Sequence, residues 1–259
     1  MTVVLKVGGS VLTRKSEPET VDEAALGTVA EAVAGALAGD SPAAPAAPAV
    51  GDLVLVHGGG SFGHHHADRH GVTRTAGLHD ASAITAIHAA MTDLNATVVD
   101  ALQGAGVPAL PVAPFAAATR GADGTLALAT APVETMLEED FVPVLHGDVV
   151  AHAGEGATIL SGDELVVALA RALGADRVGL CSGVPGVLDA DGDVVDHVGS
   201  VDAVAGALGG SDATDVTGGM AGKVRTLLDL EAPANVFGLE ALGAFLAGGN
   251  PGTSIRRDR

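Results

Sequence analysis

The chain has 259 residues, 47% of them apolar, enough for one large or two small globular domains with a substantial core. Its 32 Asp and Glu against 13 Lys and Arg give a formal net charge of -19, spread along the sequence. That excludes the basic footprint of a nucleic-acid binder, and it matches a surface adapted to salt, because at about 1 M the Debye length falls to about 3 Å and self-repulsion is screened.

Thr2 to Val7 is a β-branched run ended by Gly8-Gly9, and Asp52 to Val56 is another ended by His57-Gly58-Gly59-Gly60. Both read as buried strands that enter glycine turns. Between them Val21 to Leu37 is an alanine-rich helix pattern, which completes a strand, helix, strand unit. Ser41 to Val50 (SPAAPAAPAV) reads as a solvent-exposed loop inside that unit. Ile84, Ile87, Met91, Leu94 and Val98 recur by three and four and so share one helix face, either core or subunit interface, with an apolar substrate pocket as the second reading. Val107 to Val112 and Phe141 to Leu145 follow as strands, with Gly121 to Gly124 as a hairpin turn. Ser161 caps a helix predicted to run to Leu173, and Arg177 to Cys181 is a further strand that feeds the loop Ser182 to Gly186. The alternation predicts a mostly parallel α/β sandwich with ligands at the carboxyl ends of its strands.

The single cysteine, Cys181, excludes an internal disulfide, and no stretch of about 18 uninterrupted apolar residues occurs, so the expectation is a soluble cytoplasmic protein without membrane partners. Only three lysines stand beside ten arginines, and each lies next to a glycine-rich turn: Lys6 and Lys15 in LKVGGSVLTRK, Lys223 in TGGMAGKV. A compact ammonium on a flexible stem suits a moving phosphoryl group, and glycine lets backbone N–H groups approach an anion closely. With a net charge of -19 repelling a polyanion, such local donors must supply the attraction.

Other motifs are weaker. GGGSFG fits G-x-G-x-x-G after a strand, but the segment after it offers no second strand ending in the acidic residue that a dinucleotide ribose needs, and no G-x-x-x-x-G-K-[ST] is present. His66 and His70 have the spacing of helical metal ligands without an intervening HExxH glutamate, so no metal site is expected among His64, His65, His66 and His70. Asp189, Asp191 and Asp193 are spaced like calcium ligands, yet Val194 and Ser200 stand where Gly and Glu are required, so a hairpin turn is expected.

Taken in order, KVGGSVLTRK, HGGGSFGH, HGDVV, SGDE, SGVPGV, TGGMAGKV and GTSI resemble the amino acid kinase superfamily over nearly the whole chain. His64, directly after GGGSFG, resembles the branch of that superfamily that phosphorylates isopentenyl phosphate. The resemblance implies an open αβα sandwich, a homodimer, and one domain over 1–259 whose part at about 1–172 binds the small-molecule phosphate acceptor and whose part at about 173–259 binds ATP with Mg2+. It puts Lys6, Val7, Gly8, Gly9 and Ser10 around the transferred phosphoryl group and the ATP phosphates, and Lys15 at the transition state. Gly58, Gly63 and Gly162 would approach the substrate phosphate and Gly59 the nucleotide; His64 would orient the acceptor phosphate; Gly183, Gly219 and Lys223 would contact ATP. Asp148 and Asp163 are left between helping to hold Mg2+ and organising the lysines. The Pro/Ala insert and the triple histidine depart from the family pattern. A sister kinase for a carboxylate or carbamate, and a non-catalytic nucleotide-binding regulatory domain, are the competing readings.

Overall fold

The computed structural model describes residues 1–39, 50–200 and 219–258. In chain order its elements are β1 (Thr2–Val7), α1 (Gly9–Leu12), α2 (Glu23–Ala38), β2 (Asp52–His57), α3 (Gly60–His70), α4 (Ala81–Gly104) and β3 (Ala109–Pro111). Then come α5 (Pro114–Ala117), β4 (Ala118–Arg120), β5 (Leu126–Leu128), α6 (Ala131–Glu138), β6 (Val142–His146), β7 (Asp148–His152), β8 (Gly156–Leu160) and α7 (Gly162–Ala172). The chain closes with β9 (Arg177–Ser182), β10 (His197–Val198), α8 (Gly219–Leu228), β11 (Ala234–Gly238), α9 (Leu242–Leu246) and β12 (Thr253–Ile255).

β1 shows why the architecture is three-layered. Val3, Leu5 and Val7 pack into one core with α2, α4 and α9, through residues such as Val29, Leu94 and Phe245, whereas Val4 packs into the other with α7 and α8, through Leu165 and Val224. Alternate side chains of a strand point to opposite faces. The run TVVLKV is therefore apolar on both faces, as a strand covered by helices on each side must be. Each such Val or Leu contributes about 1.5–3 kcal/mol by leaving water. The same alternation sends Lys6 to the face of Val4, where α7 lies.

The main sheet has eight strands in the order β10-β12-β11-β9-β1-β2-β6-β3. β1 is parallel to β2 with Val7 opposite His57, and parallel to β9 with Val7 opposite Cys181. Among the described residues only the β11–β12 pairing is antiparallel in this sheet. From β1 the chain builds outward to β2, and it later crosses to the other side as β9. That reversal places a topological switch point, the usual ligand crevice of open α/β sheets, at the carboxyl end of β1.

The expected strands and long helices are present within a few residues. β3 is shorter than the Val107 to Val112 run, an edge strand that tolerates Pro111 because no further ladder needs its amide. Of the stripe on α4, Ile87, Met91, Leu94 and Val98 are core. A second sheet, β5-β4-β7-β8, is larger than the hairpin at Gly121 to Gly124 that announced it. Asp189 closes the predicted turn by accepting from the Asp191 and Asp193 N–H groups at 3.0 and 2.9 Å. The SPAAPAAPAV loop, apart from the buried Val50, lies outside the described residues, as does the start of TGGMAGKV. No helix among the described residues is long and apolar enough to cross a membrane.

Candidate active site

The turns that follow β1 and β2 meet backbone to backbone. A Cβ on Gly9 would stand 2.0 Å from the Gly60 nitrogen, and one on Gly58 would stand 2.6 Å from the Gly9 nitrogen. Gly60 also sits at φ +48, a left-handed conformation that side chains rarely adopt. On the other flank the Gly8 N–H donates to the Cys181 carbonyl at 2.8 Å, and the space beside Gly183 is filled by Ser10 Oγ, 3.4 Å from where its Cβ would be. Three neighbouring strands, β9, β1 and β2, thus end in glycine turns that touch one another.

The turn after β6 joins them. The Gly147 N–H donates to the His57 carbonyl at 2.9 Å, and Gly147 lies against the first turn of α7, with 3.4 Å from its Cβ position to the Gly162 nitrogen. Gly162 in turn leaves room for Lys6, whose Cε would be 3.2 Å from a Cβ there. The start of α7 is fixed by a capping box: Ser161 Oγ accepts from the Glu164 N–H at 3.2 Å, and Glu164 Oε2 accepts from the Ser161 N–H at 3.0 Å. Glu164 is also bonded by Arg120 at 2.8 Å and Arg74 at 3.1 Å. Burial raises its carboxyl, but the Arg120 bond, the Ser161 amide and both guanidinium charges outweigh that and hold it below the usual range.

Asp163 is the hub. Lys6 Nζ donates to its Oδ1 at 2.5 Å, and Lys223 Nζ, on α8, lies 4.0 Å from its Oδ2. One carboxylate in the first turn of a helix, where the macrodipole favours it, therefore gathers two of the three lysines of the sequence. Asp148 has a different environment. It is buried, with Oδ1 accepting from the Val149 N–H at 2.8 Å and Oδ2 bonded by His88 Nδ1 at 2.8 Å. Burial pushes its carboxyl up to about 6 against those bonds. Behind the turns, His57 and His146 stack with centroids 5.6 Å apart. Burial lowers both, His146 to about 3, with the neighbouring His57 charge adding to the effect, and His57 Nε2 meets Asn95 Oδ1 at 3.0 Å.

Lys6, Gly8, Gly9, Ser10, Gly58, Gly59, Gly162, Gly183 and Lys223 are thus brought to one end of the sheet, and Val7 is the buried last residue of β1. Gly219 opens the helix that carries Lys223. Gly63 packs on Met91, and His64 follows it on α3 as an exposed side chain. Lys15 is exposed in the turn after Thr13. A cleft of about 230 Å³ opens beside Gly183, lined by Val11, Ser182, Val184, Pro185, Leu239 and Glu240. A larger hollow of about 500 Å³ lined by Arg225, Arg257 and Asp258 holds none of these residues. Among the described residues no three His, Cys, Asp or Glu side chains are grouped to hold a metal ion.

An open αβα sandwich with lysines and glycine turns at adjoining strand ends defines a phosphoryl-transfer enzyme of the amino acid kinase fold. Residues 1–233 match the model of the Amino acid kinase family, and the chain belongs to that family. It is 63% identical over 98% of its length to the isopentenyl phosphate kinase of Haloferax volcanii, 98% of which is covered. It is 34% identical to the isopentenyl phosphate kinase of Methanothermobacter thermautotrophicus, over 87% of this chain and 85% of that one. A crystal structure of an isopentenyl phosphate kinase superposes with a TM-score of 0.80 at 27% identity, over 98% of this chain and all of that one. The chain is a kinase, and membership of a kinase family implies ATP as its phosphoryl donor.

Proposed function

We propose that the chain transfers the γ-phosphoryl group of MgATP to isopentenyl phosphate, giving isopentenyl diphosphate and ADP for isoprenoid synthesis. The observation that carries the reading is the pair Lys6 and Lys223 gathered on Asp163 beside three touching glycine turns. A chain of net charge -19 has concentrated cations and backbone donors where two phosphates would meet. The names of the relatives support isopentenyl phosphate as the acceptor.

An acceptor phosphate oxygen attacks the γ-phosphorus in line while the bond from that phosphorus to the β-phosphate oxygen breaks, and the electron pair leaves on ADP. The acceptor is already an anion, so no strong base is needed and the protein's task is positioning and charge neutralisation. Lys6, Val7, Gly8, Gly9 and Ser10 line the path of the transferred group, and Lys15 meets the charge that develops on it. Gly58, Gly63, Gly162 and His64 hold the acceptor phosphate; Gly59, Gly183, Gly219 and Lys223 hold the nucleotide, whose base and ribose fit the cleft beside Gly183. Asp163 is engaged by Lys6, and Asp148 is sealed from solvent. Mg2+ therefore fits this donor set only as a companion of the ATP phosphates, which supply most of its ligands. The part at about 1–172 takes the acceptor and the part at about 173–259 the nucleotide, within a cytoplasmic homodimer.

Steady-state kinetics with isopentenyl phosphate, acetylglutamate and carbamate test the proposal. Isopentenyl phosphate should be the preferred acceptor; His64→Ala should lose most of its turnover while ATP binding stays nearly intact, and His64→Gln, which keeps an N–H donor, should retain part. A preference for a carboxylate, or normal turnover by His64→Ala, overturns the acceptor assignment.

A further inference from the structure

Lys15 sits in a loop whose base is closed but whose far side needs a support. The Thr13–Val21 bridge and the Arg14 N–H to Thr20 carbonyl bond, 2.9 Å, join its two ends. Ser61 on α3 ties that base down: its N–H donates to Thr13 Oγ1 at 2.9 Å, its hydroxyl accepts from the Thr20 N–H at 3.4 Å, and its carbonyl accepts from the Glu19 N–H at 3.5 Å. Glu19 is held at φ +51, a left-handed conformation unusual outside glycine, which persists only where the surroundings fix it. A fixing contact is His66, whose Nε2 donates to Glu19 Oε1 at 2.5 Å. The His66 side chain is only 14% exposed, and among the described residues its buried Nδ1 makes no hydrogen bond, so the ring's polar contact is with Glu19. His66 belongs to the histidine run that the family pattern does not account for, and it stands two residues from His64 on the same helix.

We propose that His66 is a positioning residue: through Glu19 it latches the Lys15 loop onto α3, so that Lys15 and the helix bearing His64 move as one unit. The proposal rests on the kinase reading for its consequence in catalysis, but the latch itself can be measured without any substrate. An exposed charged pair is a weak tie, and a partly buried one with a short charge-assisted bond is stronger, so the latch is worth about a fivefold to tenfold bias toward the docked loop.

Trypsin reads the loop directly, because Arg14 and Lys15 are both cleavage points within it. Cleavage after Arg171, on α7, serves as the internal reporter of global unfolding. His66→Ala and Glu19→Ala, each of which removes one partner of the bond, should each speed cleavage at Arg14 and Lys15 about fivefold relative to Arg171. Each should lower kcat about fivefold, with KM for ATP within about twofold. The double variant should be no worse than either single one, and His66→Gln, which keeps a donor toward Glu19, should recover part of both effects. Unchanged cleavage in the single variants, additive effects in the double one, or faster cleavage with unaltered kcat would each overturn the proposal. If the wild type fails to use isopentenyl phosphate, the acceptor reading falls, while the proteolysis comparison still decides the latch.

Discussion

Gly9→Ala should separate the two glycine turns on which the site is built. The added carbon would lie 2.0 Å from the Gly60 nitrogen, 2.6 Å from its Cα and 2.9 Å from the Gly58 carbonyl carbon, all backbone atoms that no side-chain rotation can move away. Cβ contacts below about 3 Å do not persist, so the turns after β1 and β2 must part by about 1 Å. Overpacking of this kind costs about 1–3 kcal/mol of stability. A misplacement of about 1 Å in a reacting pair costs about a hundredfold in rate, equivalent to about 2.7 kcal/mol. Urea unfolding and the initial rate of ATP-dependent phosphorylation measure the two costs separately. Gly35→Ala is the control: it lies inside α2 with nothing within 4 Å of its Cβ position, so it should gain about 0.5–1 kcal/mol and leave kcat unchanged. A Gly9→Ala protein with wild-type stability and turnover would refute the close approach of the turns.

Lys15→Ala should lower kcat about a hundredfold, about 3 kcal/mol, with little change in KM for ATP; an unaltered kcat removes Lys15 from the mechanism. Acid should unfold the protein partly through its buried histidines. Burial depresses His146 to about 3 and lowers His57, so the stability they provide is complete above about 6.5 and is lost as pH falls, at up to about 1.4 kcal/mol per pH unit for each proton that only the unfolded chain binds. Asp148, raised to about 6 by burial, works in the opposite sense between about 3.8 and 6, so His146→Gln should show a shallower loss from pH 6.5 to 4; an identical slope in denaturant titrations would contradict this. Thermal midpoint and activity should both rise from dilute buffer to molar KCl as screening relaxes the net charge of -19, and best performance in dilute buffer would refute the salt adaptation.

The residues that announce themselves in the sequence do so because their chemistry is local. TVVLKVGG and DLVLVHGGG carry both the buried strand and its turn, and rarity alone draws the eye to Lys6, Lys15 and Lys223. Contacts made across the fold leave no such mark. Nothing in SGDE tells whether Asp163 meets a metal or an ammonium, since that depends on β1 sending Lys6 to the α7 face and on α8 bringing Lys223 from 60 residues further along. Nor does the run HHHADRH separate an exposed His64 from a His66 turned toward Glu19, because helix phase and the path of another loop decide it. The small second sheet escapes the same reading because β4 and β5, at three residues each, are too short for a period-2 pattern to stand out.

The central place of β1 also bears on how the protein is made. Its partners are β2, near at hand, and β9, so distant that the Thr2 N–H bonds the carboxylate of Asp176, 174 residues away. While the chain leaves the ribosome, β1 can pair on one side early but must wait with its other edge open until about two-thirds of the chain has been synthesised. An open apolar edge invites pairing with another nascent chain. By the end of β2 the emerging chain carries seven acidic residues against three basic ones, and from there on each partial product is a net anion that repels its neighbours, so the charge that suits the finished surface to brine also guards the unfinished sheet.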